Sequence, residues 1–166
     1  MQEAWTISDL GSVHFIVGIA VNWDRPNHTI MLSQTALIDK IVAQFGQRNA
    51  SPSSLLMDPR LKLRCANYKN MSKNELDEIK KLPYRSLVGC PLYLSIGTCP
   101  DIMYSVQQLS QYLDCYSYTH WNAAIRVVRY LSGTRGSSFV LVEQTKYPSW
   151  VSQTQTGQIA STRAEA

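Results

Sequence analysis

The spacing of apolar residues along this chain changes from an alternation near two to a helical period, and back to an alternation near its end. Residues His14 to Asn22, HFIVGIAVN, are rich in β-branched and aromatic side chains with partial alternation, and Thr29 to Leu32 forms a second, shorter run of the same kind. The cluster between them, Trp23 to His28, contains Asp24, Pro26 and Asn27 and predicts a turn, so the whole reads as a β-hairpin. Gly18 falls inside the first strand and marks a bulge or a place where another backbone or a ligand comes close, close packing being the expected reason. Beyond the hairpin the period lengthens. Leu37, Ile38, Ile41, Val42 and Phe45 recur at helical spacing, which predicts a helix from about Gln34 to Phe45 with Ser33 as its N-cap and Gly46 at its stop.

From Gly46 to Lys73 the pattern breaks down around Pro52 and Pro59, and only LKLRC alternates, so a surface linker with at most one short strand is expected. Ser72 and Glu75 have the spacing of a capping box, which opens a short helix that must finish before Pro83. The apolar segment from Tyr84 to Ile96 is helical by its Leu87, Val88, Leu92 and Tyr93. Pro91 in its middle removes a hydrogen bond at a cost of about 3 kcal/mol, so this helix should be kinked or cut short. Pro100 and Asp101 suit a first helical turn, and Ile102, Val106, Leu109 and Leu113 continue it. The clearest element is Thr119 to Thr134. Its apolar face is Trp121, Ala124, Ile125, Val128 and Leu131, its N-cap Thr119, its terminating glycine Gly133. SSFVLVEQ after Gly136 is one more strand, and the tail from Thr145 has no period.

These elements predict an α+β fold, with an N-terminal β-hairpin and one helix, then a mainly helical part and a single C-terminal strand. The expected division is 1–46 for hairpin and first helix, 47–83 for the linker, 84–142 for the helical part with its strand, and 143–166 for a disordered tail.

Composition changes that picture little. With 166 residues, 45% hydrophobic and 17% charged, the chain can bury a core. The net charge of +4 arises after Arg60, which is compatible with a polyanionic partner without requiring one. Cys65, Cys90, Cys99 and Cys115 have no two-residue spacing, which argues against a metal site and for reduced thiols in a soluble, intracellular protein. No stretch is long enough to span a membrane, so no membrane partner is expected. His14, His28 and His120 suggest neither metal ligand nor nucleophile partner, and His120 reads as a first-turn residue of its helix. Arg126 and Arg129 lie on the polar side of that helix, three apart and therefore neighbours. They could meet successive phosphates or simply face water.

The landmarks, taken in order, resemble the downstream part of copia-type retrotransposon reverse transcriptases, from about Trp5 to about Val142. The resemblance rests on Asp9-Leu10-Gly11, Val17-Gly18-Ile19, Leu32-Ser33-Gln34, Tyr84-Arg85, Val88-Gly89, Tyr93-Leu94, Thr98-Cys99-Pro100-Asp101-Ile102, Leu109-Ser110, His120-Trp121, Arg129-Tyr130-Leu131 and Gly133-Thr134. Each match is weak alone, and the ordered set is specific.

The resemblance implies that the hairpin is similar to the primer-gripping hairpin at the edge of the palm, and the helices to the thumb and its extension toward the ribonuclease H domain. It implies a backbone-tracking role on an RNA–DNA or DNA duplex, for which Lys40, Arg126, Arg129 and Arg135 are the candidate residues. It also implies what is missing. In the family an aspartate pair upstream of the first matched motif holds two metal ions, and here the aspartates are scattered with no Asp-Asp pair. Cys99 stands where the family has arginine. No catalytic residue, metal ligand or cofactor is therefore expected, and the chain reads as a truncated copy that cannot polymerise alone. The missing palm or ribonuclease H part would come from another chain. The alternatives are a stand-alone assembly module that binds no nucleic acid, and a decaying reading frame with no selected function.

Overall fold

The computed structural model describes residues 11–142. The architecture is α+β, a four-stranded antiparallel sheet beside a helical core. The expected tail, 143–166, lies outside the described residues, as do Asp9 and Leu10.

The sheet contains β1 (Phe15–Ile16), β2 (Ile19–Asp24), β3 (Thr29–Ser33) and β4 (Phe139–Val142), in the spatial order β1-β2-β3-β4. HFIVGIAVN is not one strand. It is a tight hairpin, because Val17 and Gly18 both take positive φ, 48° and 77°, the pattern of a type I′ turn that matches strand twist. Gly18 is thus a turn glycine rather than a bulge, and what lies near it is a side chain rather than another backbone. The Tyr93 hydroxyl donates to the Val17 carbonyl, and a Cβ at position 18 would stand 3.9 Å from that hydroxyl. The second turn forms where the cluster predicts it. The Asp24 carboxylate accepts from the backbone N–H of Asn27 at 3.3 Å and from its side-chain amide at 2.7 Å.

Helix α1 (Thr35–Gln44) starts one residue later than expected, with Gln34 in the cap position and Ser33 still in β3. The Ser33 hydroxyl still reaches the Thr35 N–H, at 3.4 Å. The helix stops at Gly46, φ 67°. Gly46 N–H donates to Ala43 O and Gln47 N–H to Val42 O, at 3.1 and 2.8 Å, a Schellman pair that satisfies otherwise orphan carbonyls.

Helix α2 (Lys73–Lys81) opens with the predicted capping box. Glu75 N–H donates to Ser72 Oγ at 3.3 Å, and Ser72 N–H to Glu75 Oε2 at 3.0 Å. The bond from Ser72 favours the carboxylate form and lowers the Glu75 pKa.

Helix α3 (Tyr84–Gly97) runs through Pro91 and is not cut short. Its buried residues are Tyr84, Leu87, Val88, Pro91, Leu94 and Ser95, so the proline ring itself occupies a core position. Leu92 and Tyr93, two of the residues whose spacing marks the helix, are 37% and 42% exposed. Burial of the ring offsets part of the missing hydrogen bond. The helix expected to run on to Leu113 is instead a 3₁₀ turn at Pro100–Ile102 and α4 (Met103–Ser110), with Ile102, Val106 and Leu109 buried as the spacing predicts and Leu113 partly buried beyond its end.

Helix α5 (Tyr118–Thr134) packs against α1, α3 and α4 and forms the centre of the core with Ala123, Ala124, Val127, Val128, Tyr130 and Leu131. Its cap is Ser117, not Thr119. Ser117 N–H donates to His120 Nδ1 at 3.1 Å, and the Ser117 hydroxyl lies 2.9 Å from the same nitrogen. Gly133 lies within the last turn, followed by Thr134 and a right-handed Arg135, so it does not terminate the helix. Glycine is required there for another reason. A Cβ would stand 2.9 Å from Pro52 Cβ.

The cysteine expectation is overturned for one pair, since Cys65 and Cys115 form a disulfide, while Cys90 and Cys99 lie outside it. Their separation of 50 residues carries no spacing signal; the fold brings the linker to the turn between α4 and α5, where Ala66 N–H also donates to Cys115 O at 2.8 Å. LKLRC forms no strand. Its alternation reflects Leu61 and Leu63 turned onto the helical core, where no strand is available to pair with. The core cluster contains no residue of the sheet.

Candidate nucleic-acid interface

Burial along α5 separates the helix into a core face and an outer stripe. The outer positions Asn122, Arg126, Arg129 and Gly133 are exposed and follow at steps of four, three and four, the period of one helix face. Arg126 and Arg129 are therefore neighbours, with Cβ atoms about 5–6 Å apart by helix geometry. The face opposite them is fixed in the core, which makes the presentation rigid.

The structure also places a stretch of linker along this stripe. Pro52 rests on Gly133, and Ser53 N–H donates to Arg129 O at 3.4 Å. Met57, Asp58 and Leu61 line a groove of about 240 Å³ together with Thr119, Asn122, Ala123 and Arg126. The linker thus crosses α5 from its C-terminal end toward its N-terminal end. Asp58 and Arg126 both line this groove, and the Asp58 carboxylate accepts from the backbone N–H of Arg60 at 2.9 Å.

Arg135 follows α5 and pairs with Asp39 of α1 at 3.4 Å, both side chains well exposed, while its carbonyl accepts from Thr35 Oγ1 at 3.0 Å. Lys40, next to Asp39, is exposed on α1. Packing of α1 on α5 therefore brings Arg135 to the segment carrying Lys40, whereas Arg126 and Arg129 form a separate pair roughly one and a half to two and a half turns away along α5.

Two features escape sequence reasoning. Arg25 lies over the ring of the half-exposed Trp23, 4.6 Å from its centroid, at the tip of the second hairpin. It sits in the turn two positions beyond Trp23, where no period predicts which way a side chain folds. The second is the pairing of Arg135 with Asp39, which needs a contact across 96 residues.

His120 has a structural part. It is 1% exposed and caps α5 through Nδ1, which makes Nδ1 an acceptor and places its proton on Nε2. Nε2 is buried with no hydrogen-bond partner, and burial lowers the pKa. The ring packs on Tyr112, centroids 4.6 Å apart. Burial likewise raises the pKa of Tyr84, whose hydroxyl donates to Leu109 O at 2.9 Å. Among the described residues no three His, Cys, Asp or Glu side chains are grouped to hold a metal ion, and no helix is long and apolar enough to cross a membrane.

Comparison with known proteins points to mobile elements. The chain is homologous to retrovirus-related Pol polyproteins of transposons. It is 32% identical over 139 residues, 82% of its length, to the Pol polyprotein from transposon TNT 1-94 of Nicotiana tabacum. It is 31% identical over 140 residues, 81% of its length, to that from transposon RE2 of Arabidopsis thaliana. It spans only 10% and 8% of those two proteins. An uncharacterized mitochondrial protein of Arabidopsis thaliana is 28% identical over 134 residues, 81% of this chain, which covers 51% of it. No protein-family model matches the chain, and no solved structure matches it.

Proposed function

We propose that this chain is a gripping element of a copia-type reverse transcriptase, corresponding to the end of the palm, the thumb and the connection. It tracks the phosphate backbone of an RNA–DNA or DNA duplex through Arg126 and Arg129, flanked by Lys40 and Arg135. The observation that carries this reading is the pair of exposed arginines on the outer stripe of a helix whose other face is locked in the core. Homology to transposon Pol polyproteins supports it, as does the ordered motif set. The scattered aspartates support a role without polymerisation of its own, the carboxylates being supplied by palm or ribonuclease H parts in another polypeptide.

The test is duplex binding as a function of salt. Anisotropy of a labelled RNA–DNA duplex should report an affinity that falls steeply between about 50 and 200 mM salt. Arg126→Ala with Arg129→Ala should lower the log–log slope by about 2, roughly 0.9 for each phosphate no longer neutralised. Binding that ignores both salt and substitution refutes the reading, and primer extension with magnesium and nucleotides refutes its non-catalytic half.

A second reading, assembly without nucleic acid, is favoured by one observation. Trp23, Ile30 and Leu141 lie directly opposite one another across β2, β3 and β4, as do Val21, Leu32 and Phe139. They form one apolar sheet face outside the core cluster. Self-association that is insensitive to salt, with no duplex binding, would select this reading instead.

A further inference from the structure

We propose that the Cys65–Cys115 disulfide is a reversible latch that holds the segment 52–66 along α5, so that its reduction frees the segment and opens the groove beside Arg126 to a polyanion. The latch half stands on geometry alone, and the opening of the groove to a polyanion rests on the proposed nucleic-acid function.

The segment from Gly46 to Asn67 contains no helix and no strand. Between Pro52 and Ala66 it is held to the helices by few polar contacts. Ser53 N–H donates to Arg129 O at a long 3.4 Å, Tyr112 Oη to Leu63 O at 3.0 Å, and Ala66 N–H to Cys115 O at 2.8 Å. Leu56, Met57, Leu61 and Leu63 pack against the core but are only partly buried. A stretch with few buried contacts and no hydrogen-bonded ladder opens at low free energy unless something closes it. The covalent bond at Cys65 does so, at the far end of the segment from Pro52.

Accessibility fits such a switch. Cys65 is exposed and Cys115 half-buried, so a reducing thiolate can reach a sulfur without unfolding the core. Reduction by a dithiol breaks the Sγ–Sγ bond. The reductant supplies two electrons and two protons, leaving two cysteine thiols, and itself closes to a disulfide. Reoxidation by a disulfide-bearing oxidant reverses the exchange. Opening of the bond lets the segment carrying Asp58 leave the groove that it lines together with Arg126, which takes an acidic group out of that groove.

The experiment compares the oxidised chain, the dithiol-treated chain and the Cys65→Ser, Cys115→Ser double variant by amide hydrogen exchange and by duplex binding. Differential alkylation should recover Cys65 and Cys115 blocked in the oxidised chain. Reduction should speed exchange of the Ala66 and Ser53 amides by about tenfold or more while α5 core amides change less. Duplex affinity should rise about two- to fivefold, the fold-change of one exposed ion pair. The double variant should match the reduced chain under both conditions. Free thiols at both positions after air oxidation, or equal exchange in the two states, overturn the latch. Faster exchange with unchanged affinity in a duplex-binding protein overturns the opening of the groove beside Arg126. Faster exchange with no duplex binding in either state overturns the nucleic-acid reading and leaves the latch in place.

Discussion

Replacing Gly133 with alanine sets two effects of similar size against each other, and the structure decides between them. In an exposed helix interior, Gly→Ala stabilises by up to about 1 kcal/mol, because the backbone loses less freedom on folding. Here the new methyl carbon would stand 2.9 Å from Pro52 Cβ and 3.8 Å from its Cγ, where unstrained carbons lie about 3.5–4.0 Å apart. The proline ring is rigid and cannot turn aside as a long side chain would. Overpacking of this kind costs about 1–3 kcal/mol, so Gly133→Ala alone should be neutral to about 2 kcal/mol destabilising. Pro52→Gly removes the obstructing Cβ, whereas Pro52→Ala would keep it. In the Pro52→Gly background the same Gly133→Ala should stabilise by up to about 1 kcal/mol. Urea unfolding of the four chains, followed by far-ultraviolet circular dichroism, should therefore give a coupling of about 1–3 kcal/mol between two positions distant in sequence and joined by neither helix nor sheet. A Gly133→Ala stabilisation of equal size in both backgrounds would show that the linker does not rest on α5. It would also remove the ground for the latch.

Three further outcomes follow from contacts elsewhere. Opening the Cys65–Cys115 disulfide, which closes a separation of 50 residues, should lower stability by at most about 4 kcal/mol in the chain-entropy picture, and urea midpoints of oxidised and reduced protein that coincide would contradict it. The His120 pKa is lowered by burial, so the folded chain holds the neutral ring while the unfolded chain binds a proton. Stability from this group is complete above the ordinary histidine pKa and is lost as pH falls from about 6.5 toward the lower folded value, which urea titrations between about pH 8 and 5 will read. His120→Asn should flatten that dependence, and an unchanged slope would refute the assignment. Tyr130 Oη donates to Asp101 Oδ2 at 2.6 Å and joins α5 to the turn before α4, so Tyr130→Phe should cost about 1.5–3 kcal/mol, while a cost below about 0.5 kcal/mol would make that bond incidental.

The elements that are legible in the sequence are those whose signals are local. The capping box at Ser72 and Glu75, the Schellman glycine Gly46 and the Asp24–Asn27 turn all act within a few residues, and each forms where its pattern predicts. The misreadings have one cause. Gly18 resembles a strand defect because both sides of it are β-formers, and only the paired positive φ of Val17 reveals the turn. Gly133 resembles a helix stop because glycine serves both ends and close approaches, and here the approach is by Pro52, distant in sequence. Pro91 does not cut its helix short, because its cost is local whereas its compensation is burial in the core. Thr119 yields the cap to Ser117 because a histidine, not the usual glutamate, closes the box from the third helical position. The disulfide has no local signal at all.

The same distinction reshapes the candidate site. Sequence position alone treats Lys40, Arg126, Arg129 and Arg135 as four equivalent cations on polar faces. In the fold they differ in what already holds them. Arg135 is engaged by Asp39, and an exposed pair at 3.4 Å is worth so little that a phosphate can displace it. Arg126 shares its groove with Asp58, which the linker carries and the disulfide anchors. Arg129 meets the linker through its backbone carbonyl, which leaves its guanidinium on the exposed stripe. A duplex approaching α5 would therefore meet Arg129 first, and engage Arg126 in proportion to how far Asp58 can withdraw. On the proposed nucleic-acid function, the strength of such a grip would depend on how readily residues 52–66 leave α5 as well as on the number of basic residues, so modest net charge would not count against it.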